Sequence, residues 1–396
     1  RGADNDCQRG DCYRAQWLPM EYRLMSKLKV DTVTDVAGTG APNFDDGATI
    51  QGVAIASVNK MQYDATTGAK PSGEMLGGVW INTATDEFMM YAGGTTGWTK
   101  VTSANAAPAW TGHTAYVCGG AIGGGTTSAQ DTIDYISMAS AGNASDFGDL
   151  TVARSSAGAL SGGGRVLIGG GASGGQQSSS PSLKNTIDYI VAGTASNATD
   201  FGDLTQARFQ LLCGSTGTRG VWESGMSYYA GSYNTIDYVT ILTAANAVDF
   251  GDSNYTHYDK MWAANGATLI GAGGRLTMNT LGNSVGTSQL SLARFHGTGV
   301  SGETRALFCG GYYYTWGATD RIDYFVYATS ANAVDFGNLI APYLRHGGAS
   351  NAVDGFLFGS DAAATDIKKI TLMTPSNSTD FGDLTVGRTW SAASGA

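Results

Sequence analysis

The chain has 396 residues, of which 58 are glycine, 7 are proline and only 14% are charged. The formal net charge is −10, and lysine and arginine form no run, so nucleic acid and anionic membranes are not expected as partners. No apolar stretch approaches the roughly 20 residues that span a bilayer, so membrane insertion is not expected either.

The first 24 residues differ in composition from everything that follows. They contain four arginines and two cysteines, and Met25 then opens the sequence Met-Ser-Lys-Leu-Lys-Val. We interpret residues 1–24 as a non-native extension upstream of the natural start, and the tripeptide Arg9-Gly-Asp11 as a chance match. Because the segment lacks the apolar stretch of a signal peptide, no secretion is expected.

Residues 25–101 do not repeat, and they predict a small β-rich module. Aromatic strands around Trp80 and Phe88 flank an Asn-Thr-Ala-Thr-Asp turn, and a third short strand ends at Thr99. Together with the segment from Leu28 to Phe44, this hairpin resembles the N-terminal parts of tail-fibre and related virion proteins of tailed bacteriophages, particularly marine ones. The resemblance implies that the module attaches the protein to a phage particle.

From residue 107 to residue 396 the sequence repeats one phrase at a period near 50. The tyrosine of Ile-Asp-Tyr stands eleven residues before the aspartate of Asp-Phe-Gly in four copies, the first of which contains Tyr135 and Asp146. A fifth Asp-Phe-Gly begins at Asp380, with Lys369 in the tyrosine position. Each unit also contains a strand that ends in glycines, so it offers the four short strands of a β-propeller blade.

The order of these motifs resembles kelch repeats, although a phenylalanine stands near the position of the kelch tryptophan. The resemblance implies an all-β, kelch-like propeller. Units beginning near residues 113, 165, 219, 267, 305 and 353 favour six blades, with seven left open. The fourth unit has lost both Ile-Asp-Tyr and Asp-Phe-Gly. We expect the segment from Arg388 to Ala396 to close the ring by completing the first blade, because closure removes exposed sheet edges.

The repeated motifs favour structural roles over chemical ones. Asp-Phe-Gly binds magnesium in protein kinases, but the other kinase motifs are absent and five copies in one chain indicate a turn. We expect its phenylalanines to fill the gaps between blades. We expect the asparagines and aspartates of these turns to form hydrogen bonds with their own backbone. A weaker alternative is calcium binding by their oxygens. The residues concerned are Asn143, Asp146, Asp149, Asn197, Asp200 and Asp203.

Catalysis has little support in the sequence. No catalytic residue, cofactor or metal site is predicted, and the histidines near the repeat arginines are expected to pack or cap. Cys118 and Cys309 occupy equivalent strands of distant units, which predicts buried free thiols.

A binding face is predicted from the loops between the Gly-Gly strand and the Ile-Asp-Tyr strand. These loops vary in length and emerge on one side of a propeller. Two of them are rich in aromatic residues whose rings suit the apolar face of a sugar. The alternative is that the rings pack against the fourth unit. The candidate ligand-binding residues are Tyr228, Tyr229, Tyr233, Tyr312, Tyr313, Tyr314 and Trp316.

These observations favour a phage virion protein of the tail-fibre or adhesin class, without enzymatic activity, that binds a host-surface glycan or receptor. The expected partners are other virion tail proteins and the host surface, with homo-oligomerisation left open, and the expected location is the virion. A cellular kelch-like interaction scaffold and a glycan-active propeller enzyme remain the alternatives.

Overall fold

The computed structural model describes the chain in two compact units, residues 1–104 and residues 105–396. In the first unit it describes only the strands named below. In the second it describes residues 113–122, 128–173, 182–227, 230–254, 261–271, 273–286, 289–313, 315–351, 353–361 and 364–396. These residues form strands and their connections, without an α-helix. No helix in this described part is long and apolar enough to cross a membrane.

The first unit contains six short strands. They are β1 (Ala48–Ile50), β2 (Val53–Ile55), β3 (Met61–Asp64), β4 (Val79–Asn82), β5 (Glu87–Tyr91) and β6 (Trp98–Lys100). β1 pairs antiparallel with β2, while β3 to β6 form one sheet in which β3 and β4 are parallel. The β4–β5 hairpin and β6 correspond to the aromatic strands that the sequence predicts.

The second unit contains the remaining strands. In chain order they are β7 (Thr114–Cys118), β8 (Ala121–Ile122), β9 (Ser128–Ala129), β10 (Thr132–Ser137), β11 (Ser145–Asp149), β12 (Gly158–Gly162), β13 (Arg165–Gly169), β14 (Ala172–Ser173), β15 (Ser182–Leu183), β16 (Thr186–Val191), β17 (Thr199–Asp203), β18 (Leu212–Ser215), β19 (Arg219–Glu223), β20 (Met226–Ser227), β21 (Gly231–Ser232), β22 (Thr235–Thr240), β23 (Val248–Asp252), β24 (Trp262–Ala264), β25 (Thr268–Gly271), β26 (Gly274–Thr277), β27 (Thr298–Ser301), β28 (Arg305–Cys309), β29 (Tyr312–Tyr313), β30 (Gly317–Ala318), β31 (Arg321–Val326), β32 (Val334–Asn338), β33 (Gly347–Ser350), β34 (Asp354–Phe358), β35 (Asp366–Thr371), β36 (Thr379–Asp383) and β37 (Ala392–Gly395).

These strands build a six-bladed β-propeller, which confirms the predicted fold class. From the axis outwards the blades are β37-β7-β10-β11, β12-β13-β16-β17, β18-β19-β22-β23, β24-β25-β26, β27-β28-β31-β32 and β33-β34-β35-β36, and we number them 1 to 6. The C-terminal strand β37 pairs antiparallel with β7, with Ala393 opposite Val117. The predicted closure of the ring is therefore confirmed, and six blades replace the alternative of seven.

The Asp-Phe-Gly motif makes a β-bulge in the outermost strand. In blade 1 Ile133 pairs with Gly148 and Asp134 pairs with Asp146, so Phe147 is the extra residue between them. The bulge turns this ring into the core, where it is 4% exposed and meets Tyr116 edge-on at 5.0 Å between centroids. Its core cluster combines residues of blades 1 and 2. The prediction that these phenylalanines fill the gaps between blades is confirmed.

The repeat arginine makes a buried ion pair with the aspartate of Ile-Asp-Tyr in the following blade. Arg208 and Asp237, for example, are 2.9 Å apart and both side chains are fully buried. Thr205 donates a hydrogen bond to the same carboxylate at 2.6 Å, which explains why a hydroxyl residue stands three positions before the arginine. The equivalent pairs are Arg154–Asp188, Arg294–Asp323 and Arg388–Asp134.

Blade 6 replaces this ion pair with a different pair of side chains. Tyr343 stands in the arginine position and Lys368 in the aspartate position, with the lysine nitrogen 4.6 Å from the centroid of the tyrosine ring. Asp366 holds the lysine at 2.9 Å and accepts a hydrogen bond from the tyrosine hydroxyl at 3.1 Å. Blade 6 therefore differs from the other blades at both positions of the pair, and Asp366 balances the positive charge of Lys368.

An asparagine in each blade joins the outer rim of the preceding blade. Asn197 accepts a hydrogen bond at 3.1 Å from the backbone nitrogen of Asp149. The same contact recurs at every blade junction, and we call the six asparagines the clasp belt. They are Asn143, Asn197, Asn246, Asn283, Asn332 and Asn377. The sequence favoured hydrogen bonds within each turn, whereas the amide oxygens reach the neighbouring blade.

Blade 4 is the divergent blade. Its described residues form three strands, and a bridge between Arg275 and Val285 stands where a fourth strand would pair. Its interface with blade 5 contains no Asp-Phe-Gly phenylalanine and is filled instead by residues such as Met261, Phe308 and Phe325. Asn283 nevertheless keeps its place in the clasp belt, so this blade conserves the ring contact without the repeat motif.

Candidate functional site on the loop face

One end of the propeller carries two kinds of connection, and we call this end the loop face. The first kind is a small hairpin between the second and third strands of blades 1, 2, 3 and 5, namely β8–β9, β14–β15, β20–β21 and β29–β30. The second is the segment that enters each innermost strand. Backbone bridges join the two kinds, as between Phe295 and Tyr312. The loops between the Gly-Gly strand and the Ile-Asp-Tyr strand therefore lie at one end of the propeller, as the sequence predicts.

The predicted aromatic residues lie in the hairpins of blades 3 and 5. Trp316 is 77% exposed at the turn of the blade 5 hairpin, more than any other large apolar side chain of the described residues. Tyr312 and Tyr233 are half-buried. Tyr228, Tyr229 and Tyr314 lie outside the described residues.

Tyr313 is buried, whereas the sequence predicted an exposed ring. It is 8% exposed, because successive residues of a strand face opposite sides and Tyr313 takes the inner side of β29. Its ring meets the Trp316 indole at 6.1 Å between centroids. Within the described part of the chain its hydroxyl has no hydrogen-bond partner. Tyr313 thus packs against Trp316 and keeps its hydroxyl buried.

A cavity opens at the centre of the loop face, and we call it the mouth. Its volume is about 50 Å³, and it is lined by Ser156, Ala157, Gln210, Trp262, His296, Gly297, Arg345, His346, Trp390 and Ser391. All but Trp262 belong to the segments that enter the innermost strands. A second cavity of about 90 Å³ lies further along the axis among small residues of these strands. Trp262 lines both cavities and stands between them.

Five residues of the mouth share an unusual backbone conformation. Their φ angles are positive, between 57° and 62°. Side chains are disfavoured there, at a cost of about 1–2 kcal/mol, and glycine is the usual occupant. The five are Ser156, Gln210, His296, Arg345 and Trp390, each two positions before its innermost strand. Ser224 is the one other residue with a side chain at positive φ in the described part of the chain.

This conformation links neighbouring blades through the backbone. The nitrogen of Gln210 donates to the carbonyl of Ser156 at 2.8 Å, and the nitrogen of Ser156 donates to the carbonyl of Trp390 at 2.9 Å. Two equivalent bonds join Trp390 to Arg345 and Arg345 to His296. The equivalent position in blade 4, residue 260, lies outside the described residues. The backbone alone makes these bonds, so the bonds themselves do not depend on which side chain stands at each position.

The charge at the mouth is largely balanced. The Arg345 guanidinium is 2.9 Å from the carboxylate of Asp361 and lies over the Trp390 ring at 5.1 Å from its centroid. The His296 ring meets the Trp390 ring edge-on, at 5.0 Å between centroids. Burial lowers the pKa of His346 to about 4, and the charge of Lys368 acts in the same direction, so this ring is neutral at pH 7.

The weaker calcium alternative places its residues on the outer rim. Asn143 and Asn197 both lie in the clasp belt, where their amide oxygens accept hydrogen bonds from backbone nitrogens. Asp146 and Asp200 are exposed beside the bulge, as is Asp149, and Asp203 is half-buried. In the described part of the chain no three His, Cys, Asp or Glu side chains come together in a group that could hold a metal ion.

The predicted buried thiols are confirmed. Cys118 and Cys309 are both free and buried, and burial raises the pKa of each thiol to about 12. They are therefore protonated at neutral pH and pack as small apolar side chains.

Comparison with known proteins adds no relative: no protein-family model matches the chain, and no curated protein is significantly similar to it. The class of protein is therefore defined by the structure itself. It is a six-bladed β-propeller, consistent with kelch-like repeats, and this fold is consistent with a binding or protein-interaction role.

Sequence reasoning missed the mouth. It expected the histidines near the repeat arginines only to pack or cap, yet His296 and His346 both line the cavity. No distinct signal marked it. In four copies the second residue after the repeat arginine is Ser156, Gln210, His296 or Trp390, but the residues on either side of this position vary as well.

Proposed function

We propose that the chain is a virion protein of a tailed bacteriophage that recognises a host-surface glycan through the loop face. The role is binding without catalysis, and the protein is located in the phage particle. The N-terminal resemblance to tail-fibre proteins supports the virion assignment. The partners are other tail proteins and the bacterial surface, and neither nucleic acid nor a membrane interior is among them.

The observation that carries the binding role is the exposure of Trp316. An indole that is 77% exposed on a hairpin turn leaves a large apolar area in contact with water. A pyranose ring covers such an area with its C–H face. The Tyr313 ring packs against this indole at 6.1 Å between centroids and holds it in place.

The test is binding to purified bacterial lipopolysaccharides, capsular polysaccharides and exopolysaccharides on an array. At least one polysaccharide should bind, and Trp316→Ala should weaken that binding at least tenfold while the melting temperature stays within a few degrees. Leu242→Ala is the matched control, since Leu242 is also apolar and 57% exposed but lies beside the Gly163 turn at the opposite end of the propeller.

Two results would contradict the glycan role. One is an array on which nothing binds, and the other is undiminished binding by the Trp316 variant. The virion assignment is tested separately by the neighbouring genes. Genes for tail and baseplate proteins should flank this one, and a cellular operon in their place would favour the interaction-scaffold alternative.

A further inference from the structure

We propose that the mouth is a second, separate binding site that takes the hydroxyl-bearing edge of a neutral sugar unit. This inference rests on the proposed glycan recognition and extends it to the axis. No residue of the mouth belongs to the aromatic hairpins from which that recognition is argued.

The first support is the choice of residues at the five strained positions. The chain contains 58 glycines, and 21 of the described ones have positive φ. Glycine would therefore be the expected occupant at the mouth as well. Five different side chains are present there instead, at a conformational cost of about 1 kcal/mol or more each. Because the backbone makes the hydrogen bonds between blades at these positions, we attribute this cost to the contacts that the side chains make around the cavity.

The second support is a set of buried polar atoms without partners. Gln210 is 8% exposed and Ser391 is 9% exposed, and both line the mouth. Among the described residues, Gln210 Oε1, Ser391 Oγ and Arg345 Nε have no hydrogen-bond partner. Buried polar atoms are nearly always satisfied, and each unsatisfied one costs about 1–3 kcal/mol. All three residues line the mouth, so rotation of their side chains would bring these atoms to a ligand there.

The chemistry of these atoms identifies the ligand class. An amide oxygen needs a donor, a guanidinium nitrogen needs an acceptor, and a serine hydroxyl accepts either. A sugar hydroxyl both donates and accepts, so a pair of hydroxyls satisfies the set. A carboxylate fits less well, because it would meet Gln210 Oε1 and because Asp361 already balances the charge of Arg345.

The size of the cavity limits how much of the ligand enters. A volume of about 50 Å³ holds roughly three to five water molecules, at about 10–15 Å³ for each. This space suits two hydroxyl groups and the carbons that bear them but not a whole pyranose. The rest of the sugar would project onto the loop face. Trp390 and Trp262 supply the apolar walls.

The experiment uses Gln210→Gly in the full chain, because glycine suits the left-handed backbone and removes only the side chain. The probes are glucose, galactose and mannose, with glucuronic and galacturonic acid as acidic counterparts, measured by saturation-transfer NMR and calorimetry. At least one neutral hexose should bind with a dissociation constant in the millimolar range. Gln210→Gly should weaken it at least tenfold.

Ser224→Gly is the matched control, since Ser224 has the same backbone conformation outside the mouth. It should bind the hexose as the unmodified chain does. The proposal is overturned if no hexose binds, if only the uronic acids bind, if Gln210→Gly binds normally, or if both glycine variants lose binding equally.

Failure here is distinguishable from failure of the proposed function. If Trp316→Ala loses polysaccharide binding while no hexose binds at the mouth, the loop face recognises glycans through the hairpins alone. If hexoses bind at the mouth but the array shows no effect of Trp316→Ala, the mouth is a sugar site and Trp316 is not part of the glycan site.

Discussion

The clasp belt has six equivalent positions and the mouth has five described ones, and the two are built in opposite ways. At the rim every position is asparagine, and every described contact is the same hydrogen bond to the neighbouring blade. At the axis the backbone repeats, with φ near 60° at five positions, but no two of the five side chains are alike. Positions that carry the same residue in every blade hold the ring together. Positions that share a backbone conformation but carry different side chains are suited to recognition.

The divergent blade 4 supports this interpretation. It has lost its fourth strand, its Asp-Phe-Gly and its Ile-Asp-Tyr, but Asn283 remains. The rim contact is thus retained where the motif is not. At the axis the same blade contributes Trp262, at a position where the other blades carry glycine, leucine, threonine or alanine.

The largest loss of stability is expected from opening the propeller ring, because this disturbs both the clasp belt and the mouth. Removal of residues 388–396 deletes β37 and the Arg388–Asp134 ion pair, and it exposes the edge of β7. The shortened chain should lose its cooperative thermal transition, as followed by circular dichroism. An unchanged melting curve would show that blade 1 does not need this strand.

The next largest effect is expected at the buried ion pair between the repeat arginine and the aspartate of Ile-Asp-Tyr. Asp237→Asn leaves the Arg208 guanidinium buried without its counter-charge, which should destabilise the fold by about 3–5 kcal/mol in urea denaturation. Asp361→Asn is the control, because its ion pair with Arg345 is partly exposed and should contribute less than about 1 kcal/mol. Equal losses for the two variants would contradict a special role for the repeated pair.

A pH-dependent loss of stability is expected from His346, which lines the mouth. The folded-state pKa of His346 is lowered to about 4 from 6.5, so on acidification the unfolded chain takes up this proton first. Stability should therefore fall between pH 6.5 and pH 4 by up to about 3 kcal/mol, measured by urea denaturation. His346→Gln should flatten this part of the profile.

Below pH 4 a separate loss is expected from Asp323. Burial alone would raise the pKa of this carboxyl, but Arg294 and hydrogen bonds from Ser291, Arg294 and Arg321 lower it overall. Its contribution is present above the unfolded pKa and is lost as the pH falls through the folded one. A His346→Gln profile that still declines between pH 6.5 and pH 4 would assign that decline to another group.

The smallest effect is expected at the rim. Asn197→Ala removes one exposed hydrogen bond, and Asn283→Ala removes the equivalent bond in the divergent blade. Each should reduce the free energy of unfolding by about 1 kcal/mol. A much larger loss at Asn283 would show that blade 4 depends on the clasp in a way that the regular blades do not.

The sequence predicted the ring but not the mouth, and the reason is physical. Repeated residues at fixed spacing reveal blades, and the strand-like segment after Arg388 predicts closure. The left-handed backbone at Gln210 or Trp390 leaves no such trace, because these residue types seldom adopt it. Burial in a two-residue strand is equally hard to predict, since nothing local decides whether Tyr312 or Tyr313 faces inward. Both features arise from the packing of blades around an axis.

The most direct test of the account compares stability and binding in one variant, Gln210→Gly. Glycine relieves the strained conformation but adds entropy to the unfolded chain, so the free energy of unfolding should stay within about 1 kcal/mol of the unmodified protein. Hexose binding should fall at least tenfold. A variant that binds normally, or one destabilised by several kcal/mol, would show that the side chains of the mouth serve the fold.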